Sequence, residues 1–363
     1  IVIFFPYPPL VKLGIAVGTL SFFFMSLNQI FLGFYQTHLK MAPVSFAEVG
    51  NRIFLLIAIA LIAWLDLGLL AIMVAVVGSN IIQFLMLVLP ATRLSRIRLA
   101  LQPAVLLHIW ASTWPIALSI ALNLLYLKTD ILVLSIFRSP EEVGLYGAAY
   151  KVVDVLTTFP VLFAGLLLPL LTSFWQSGDK TRFAHLIQQG FDAMCVIAWP
   201  MMIGTLFVGH DVMALIAGEE FRASGLMLQL LIWASGVIFF NAVFSHAIIA
   251  LNRQKDTIIA YAITAAVGVV GYIVFIRLYG ALGAAAMTIV TESLVAILVF
   301  VAYLRFSHIR PSLRRWIPIA ISCAAMAAVL YMTRQQPFPL RLGLAILTYS
   351  AAMLGTGGIS LPF

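Results

Sequence analysis

The chain has 363 residues, of which 63% are hydrophobic and only 9% are Asp, Glu, Lys or Arg, with a formal net charge of +8. Soluble domains carry about a quarter charged residues, so a mean hydropathy of +1.10 excludes a water-soluble core and, with it, a soluble enzymatic domain. The composition is that of an all-α polytopic membrane protein.

The chain opens with an apolar IVIFFPYPPLV segment that no basic region precedes. It reads as the tail of a span and not as a signal peptide. At about 20 apolar residues per crossing, hydropathy predicts eleven spans, beginning with Leu13–Tyr35, Val49–Leu65, Leu69–Leu89 and Trp114–Phe137. Val143–Trp175, Leu186–Val208, Gly225–Leu251, Thr257–Ile276 and Ala281–Leu304 follow, and Trp316–Met332 and Leu342–Leu361 close the series. The second and third must be separate, because one helix from Ile53 to Leu89 would reach about 55 Å against a hydrocarbon core of about 30 Å. The chain therefore turns near Asp66-Leu67-Gly68. The longest stretches between spans, Pro90 to His108 and Gly209 to Ser224, are too short for an independent fold. Cys195 and Cys323 lie in apolar runs and read as inert packing, and no His-x-x-x-His or Glu-x-x-His spacing suggests a metal. No cofactor is expected.

Sorting loop charges by side gives an orientation. One set of alternate loops holds Lys40 and Arg52, then Arg93, Arg96 and Arg98, then Lys180 and Arg182, then Arg253 and Lys255, then Arg305, Arg310, Arg314 and Arg315. The other holds Lys12, Arg138, Arg222, Arg277, Arg334 and Arg341. The 13 to 6 split puts the first set in the cytoplasm by the positive-inside rule. The N-terminal end of this chain then lies outside and its C-terminus inside. The pI of about 9.7 is a topology signal, and no nucleic-acid patch is needed to explain it. Glu141-Glu142 and Glu219-Glu220 read as solvated outer edges.

Lys128, Asp130, Lys151, Asp154 and Glu292 lie inside apolar runs, where an ionisable group costs several kcal/mol or finds a partner or water. Asn123, Tyr126 and Asp130 share a helical face, and Lys128 is turned about 200° from Asp130, so those two do not pair within their helix. Lys151 and Asp154, three apart, can pair, and Tyr150 shares the face of Asp154. The lysines read either as structural locks or as cations facing a cavity. Glu292, mid-span beside Thr288 and Thr291, is either a hydrogen-bonded structural group or a proton-coupling group, because desolvation disfavours the anion. Asn28, Gln29, Tyr35 and Gln36 suit sugar hydroxyls or interhelical packing equally.

A faint repeat organises these spans. NQIFLGFYQTHLK (28 to 40) and NAVFSHAIIALNR (241 to 253) both open on Asn and end in a basic turn, and Leu67-Gly68 and Tyr279-Gly280 fall in matching turns about 212 residues apart. At that offset Asn80 falls opposite Glu292. Six crossings separate the copies, so both run in one direction, as in transporters with parallel repeats. The expected organisation is the remainder of an N-terminal lobe over 1–100, a six-helix C-terminal lobe over 101–305, and two extra helices over 306–363.

The run DILVLSIFRSPEEVGLYGAAYKVVDVLTTFP (Asp130 to Pro160), with LLLPLLTSFW (Leu166 to Trp175) and MALIAGEEFRASGLMLQLL (Met213 to Leu231), resembles the bacterial polysaccharide or O-antigen flippases of the multidrug, oligosaccharidyl-lipid and polysaccharide exporter superfamily. The resemblance implies a two-lobe bundle of 12 to 14 helices around a polar or cationic cavity. Its implied task is to carry an isoprenoid-diphosphate-linked oligosaccharide across the bacterial inner membrane by alternating access, in lipopolysaccharide synthesis. Against a 14-helix pattern, three N-terminal spans are missing. Lipid-linked oligosaccharide, the bilayer and polysaccharide assembly machinery are the implied partners, with proton or sodium as coupling ion. The expected translocation path comprises Lys128, Lys151, Asn123, Tyr126, Asn28, Gln36 and Asn241, with Asp130, Asp154 and Glu292 as ion-coupling groups or structural locks. Two other readings share parts of this pattern. A multidrug or cation exporter of the same superfamily would use the acids, and a membrane-embedded polymerase or glycosyltransferase would need a larger extramembrane loop or an interfacial acidic pair.

Overall fold

A computed structural model describes residues 9–38, 40–94 and 102–358, without the side chains of residues 10–11, 104, 108, 111–112, 115–127 and 254–257. The described residues are helical with short turns. In chain order the helices are α1 (Pro9–Thr37), α2 (Ala42–Trp64), α3 (Gly68–Leu94), α4 (Pro103–Phe137), α5 (Pro140–Gln176), α6 (Lys180–Ala217), α7 (Gly225–Ala250), α8 (Gln254–Ser307), α9 (Trp316–Met332) and α10 (Phe338–Gly355). Among the described residues, eight helices are long and apolar enough to cross a membrane.

Local chemistry sets several of these boundaries. Pro140 occupies the first turn of α5, where its missing N–H removes no helical bond, and Ser139 caps that turn by accepting from Glu142 N at 3.3 Å. Asp179 caps α6 in the same way, accepting from Arg182 N at 3.0 Å. With 54 residues, α8 would reach about 81 Å as one straight helix. It is broken at Gly280, where φ is +61° and ψ is −137°, a conformation open to glycine and strained for other residues. The break falls between the eighth and ninth predicted spans.

The break is held from outside its own helix. Arg138, at the end of α4, donates through Nε and Nη2 to the carbonyl of Ile276 at 3.2 and 2.9 Å, and through Nη2 to that of Arg277 at 3.0 Å. Glu142 Oε1 accepts from Ala281 N at 2.6 Å. A cation thus meets the C-terminal end of the first half of α8 and an anion meets the N-terminal end of the second, as the helix dipole favours. Glu142 is therefore not the solvated edge residue expected of it. Its carboxylate satisfies a backbone donor that the break leaves unpaired.

The chain divides into two compact units, Ile1–Pro115 and Ile116–Phe363. In the first, α3 packs against both α1 and α2, and Tyr35, Ala47, Leu87 and Ala91 are buried together. In the second, one apolar cluster centres on Phe183, Met194, Met202, Phe239, Phe244 and Tyr303, and another on Leu134, Tyr146, Leu231, Tyr272 and Ile276. α9 and α10 pack together and on α6. Asp211 of α6 fastens α10 by binding Arg341 at 2.8 Å, while its other oxygen holds Arg222 at 2.7 Å.

The internal repeat has a structural counterpart in these boundaries. Ala42 and Gln254 open α2 and α8, and Gly68 and Gly280 sit at the following breaks, both with positive φ. Each pair is 212 residues apart, the offset read from sequence.

Candidate functional site

Three helices of the second unit bring the intramembrane charges together. Tyr146, Tyr150 and Asp154 recur every four residues along one face of α5, with the two rings 5.8 Å apart. Lys128 of α4 reaches that face: its Nζ lies 3.2 Å from Asp154 Oδ2 and 4.5 Å from the centre of the Tyr150 ring. The side chains of Lys128 and Asp154 are 42% and 41% exposed. Hydrocarbon is a costly environment for two half-exposed charges, so this face suits contact with water.

Of the partners that spacing allows Asp154, Lys151 is not the one that the structure pairs with it. Lys128 approaches Asp154 across the helix interface and adds a cation–π contact with Tyr150. Lys151 stays on an exposed part of α5, with no ion pair among the described residues.

Asp130 points elsewhere. It is 2% exposed, and Tyr146 Oη donates to its Oδ2 at 2.7 Å. The threonines of α8 donate to their own helix, Thr288 to Ala284 O and Thr291 to Thr288 O, each at 3.0 Å. Their oxygens can then accept from Tyr272 Oη, which lies 3.2 and 3.3 Å away. The hydroxyl protons of Tyr146, Tyr272, Thr288 and Thr291 thus all have a destination, yet Asp130 Oδ1 is buried with no hydrogen-bond partner among the described residues. Glu292 is half-buried on α8, next in sequence to Thr291.

The neutral candidates are divided. Asn28 is buried in the first unit, donating through Nδ2 to Asn80 O at 3.3 Å and Gln83 Oε1 at 3.4 Å. Asn51 Nδ2 also donates to Gln83 at 2.6 Å, and Asn80 Nδ2 to Ser21 Oγ at 2.8 Å, so these groups join α1, α2 and α3. Gln36 is exposed, and Asn241 of α7 is half-buried with its Oδ1 unpartnered among the described residues. The side chains of Asn123 and Tyr126 lie outside the described residues. Sequence reasoning passed over Tyr146 and Tyr272. The signal was present in the rule that a buried intramembrane carboxylate needs a donor, combined with the four-residue spacing from Tyr146 to Tyr150.

Known proteins share parts of this sequence and its fold. The chain is 23% identical over 209 residues to the probable flippase AglR of Haloferax volcanii, covering 57% of this chain and 44% of that protein. It is 21% identical over 163 residues to a probable low-salt glycan biosynthesis flippase of the same organism, covering 45% of this chain and 34% of that one. The chain thus spans less than half the length of either relative. Its fold is similar to that of the lipid II flippase MurJ in an inward closed conformation, with a TM-score of 0.76 and 17% identity over 94% of this chain and 73% of the other. All three are named as flippases, which are transporters and not enzymes. A family model described as polysaccharide biosynthesis protein matches residues 1–226, and this multi-pass membrane protein belongs to that family.

Proposed function

We propose that the protein takes part in carrying an isoprenoid-diphosphate-linked oligosaccharide across the cytoplasmic membrane by alternating access, with the arginine-rich turn between α8 and α9 on the cytoplasmic side. The observation that carries this reading is the Lys128–Asp154 pair. An ion pair this exposed contributes only about 0–1 kcal/mol, so a phosphate oxygen can replace the Asp154 carboxylate on Lys128 at little cost. The ammonium is a compact point charge, and one or two such charges attract a diphosphate without trapping it. Lys151 is the second cation. Asn241 and Gln36 supply amides for sugar hydroxyls, whereas Asn28 acts through the packing of α1 on α3.

Ion coupling falls to Asp130. Its unpartnered Oδ1 can take a proton or contribute one oxygen to a sodium ion, and Glu292 lies in the same polar cluster. Reconstituting the full-length protein and following translocation of a fluorescent isoprenoid-diphosphate sugar tests the reading. Wild-type rates from the Lys128→Ala, Lys151→Ala double variant would remove the cation role. Rates indifferent to both proton and sodium gradients would remove the coupling role of Asp130.

A further inference from the structure

The turn between α8 and α9, residues 308–315, is more firmly built than a topology signal needs to be. Gln188 of α6 holds it with both ends of its amide, donating through Nε2 to Ser312 O at 2.9 Å and accepting from Ser312 N at 2.6 Å. Arg315 Nε pairs with Asp192 Oδ2 at 3.3 Å, and that carboxylate is 6% exposed. Ile309 and Trp316 pack against the apolar cluster of the second unit. His308 closes α8 in the left-handed conformation, with φ +57°.

What this fixed turn displays is cationic. Arg305, Arg310 and Arg314 are exposed, and Leu313 between them is 53% exposed. Arg253, also exposed, lies over the Phe306 ring at 4.7 Å, and Arg305 lies 6.0 Å from the same ring. Two acids of α6 and its cap are already occupied, Asp192 by Arg315 and Asp179 by Arg182. The positive-inside rule counts charges and places no demand on loop order. A loop that spends a bidentate amide clamp, an ion pair and two apolar anchors on holding its backbone still is preorganised for a ligand.

We propose that this turn, with Arg253, Arg305, Arg310 and Arg314, binds the headgroups of anionic phospholipids in the adjoining leaflet. Guanidinium forks match phosphate oxygens, the turn joins two apolar helices and so lies at headgroup depth, and Leu313 supplies an apolar tip toward the acyl chains. Each arginine is expected to contribute about fivefold to affinity.

Native mass spectrometry of the intact chain in neutral detergent, titrated with phosphatidylglycerol, phosphatidylcholine, inorganic phosphate or undecaprenyl diphosphate, tests this. Phosphatidylglycerol should be retained and phosphatidylcholine lost. The Arg305→Gln, Arg310→Gln, Arg314→Gln variant, which alters exposed side chains alone, should weaken retention tenfold to a hundredfold with an unchanged melting temperature. Gln188→Ala keeps every charge and frees the loop, and it should weaken retention several-fold. Equal retention of phosphatidylglycerol by the triple variant overturns the proposal. Displacement of phosphatidylglycerol by inorganic phosphate, or by undecaprenyl diphosphate at lower concentration, also overturns it, by assigning the arginines to free anions or to the transported headgroup. None of these outcomes depends on transport.

Discussion

The two compact units differ in polar chemistry, although the repeat relates α1, α2 and α3 of the first to α7 and α8 of the second. In the first, Ser21, Asn28, Asn51, Asn80 and Gln83 join α1, α2 and α3 through neutral groups. In the second, Lys128, Asp130 and Asp154 of α4 and α5 and Glu292 of α8 are ionisable, and at the 212-residue offset Glu292 stands where the first unit has Asn80. An amide donates and accepts at once, so a cluster of amides can nearly satisfy itself; among the described residues of the first unit the buried atom left over is Asn28 Oδ1. A carboxylate only accepts, and the second unit is left with a buried Asp130 oxygen and a half-exposed ion pair. Helix packing holds both units, while the capacity to exchange partners is concentrated in the second.

The sharpest way to break that contrast is to compare transport by variants of the two clusters. Lys128→Ala should lower flipping of a diphosphate-linked substrate about tenfold to a hundredfold, the range for one lost hydrogen bond to a charged group. Asn80→Ala should leave the rate per folded molecule within about twofold. Equal transport losses from both variants would show that the first cluster handles substrate as directly as the second.

The matched turns give a second test. An alanine Cβ at Gly280 would meet Glu142 Oε1, whereas nothing lies within 4 Å of one at Gly68. Both positions have positive φ. Gly280→Ala should therefore destabilise the protein by about 1–3 kcal/mol, and Gly68→Ala by about 1 kcal/mol, the low end of the cost of a left-handed L-residue, read as melting temperatures in detergent. The reverse order would show that the clamp of Arg138 and Glu142 does not hold the break of α8.

Helix positions were legible because scarce charge and bilayer thickness constrain them jointly: the turn at Gly68 and the break at Gly280 follow from length alone. The partners of the charges were less legible. Spacing along α5 offers Lys151 to Asp154, but which cation arrives depends on how α4 is rotated against α5, and no periodicity in α5 records that. Glu142 was misread for a related reason. Ser139-Pro140-Glu141-Glu142 announces a helix start, which accounts for its acids locally, and the unpaired donor at Ala281 lies 139 residues further on.

Within the first unit, Asn80→Leu should cost about 0.6–1.7 kcal/mol, the range for interhelical hydrogen bonds in membranes, because it removes the donors to Ser21 Oγ and Val76 O at 2.8 and 2.9 Å. Thermal unfolding in detergent reads this directly. A cost near zero would mean that the Asn80 side chain adds nothing to the hold of Asn28, Tyr35 and apolar packing between α1 and α3.

The smallest expected change in stability, and the most informative about the second unit, belongs to Asp154→Asn. Because the pair with Lys128 is half-exposed, its loss should alter stability by no more than about 1 kcal/mol. Binding should respond more than folding does. Asparagine keeps an oxygen near Lys128 and removes the competing anion, so a soluble diphosphate such as farnesyl diphosphate should bind several-fold more tightly. Turnover should fall, because release then becomes slower. If Asp154→Asn instead weakens diphosphate binding, the carboxylate is positioning the ammonium rather than competing for it. If melting drops by much more than the bound allows, the pair is a structural lock, and the distinction drawn between the two units fails at the residue where it is most specific.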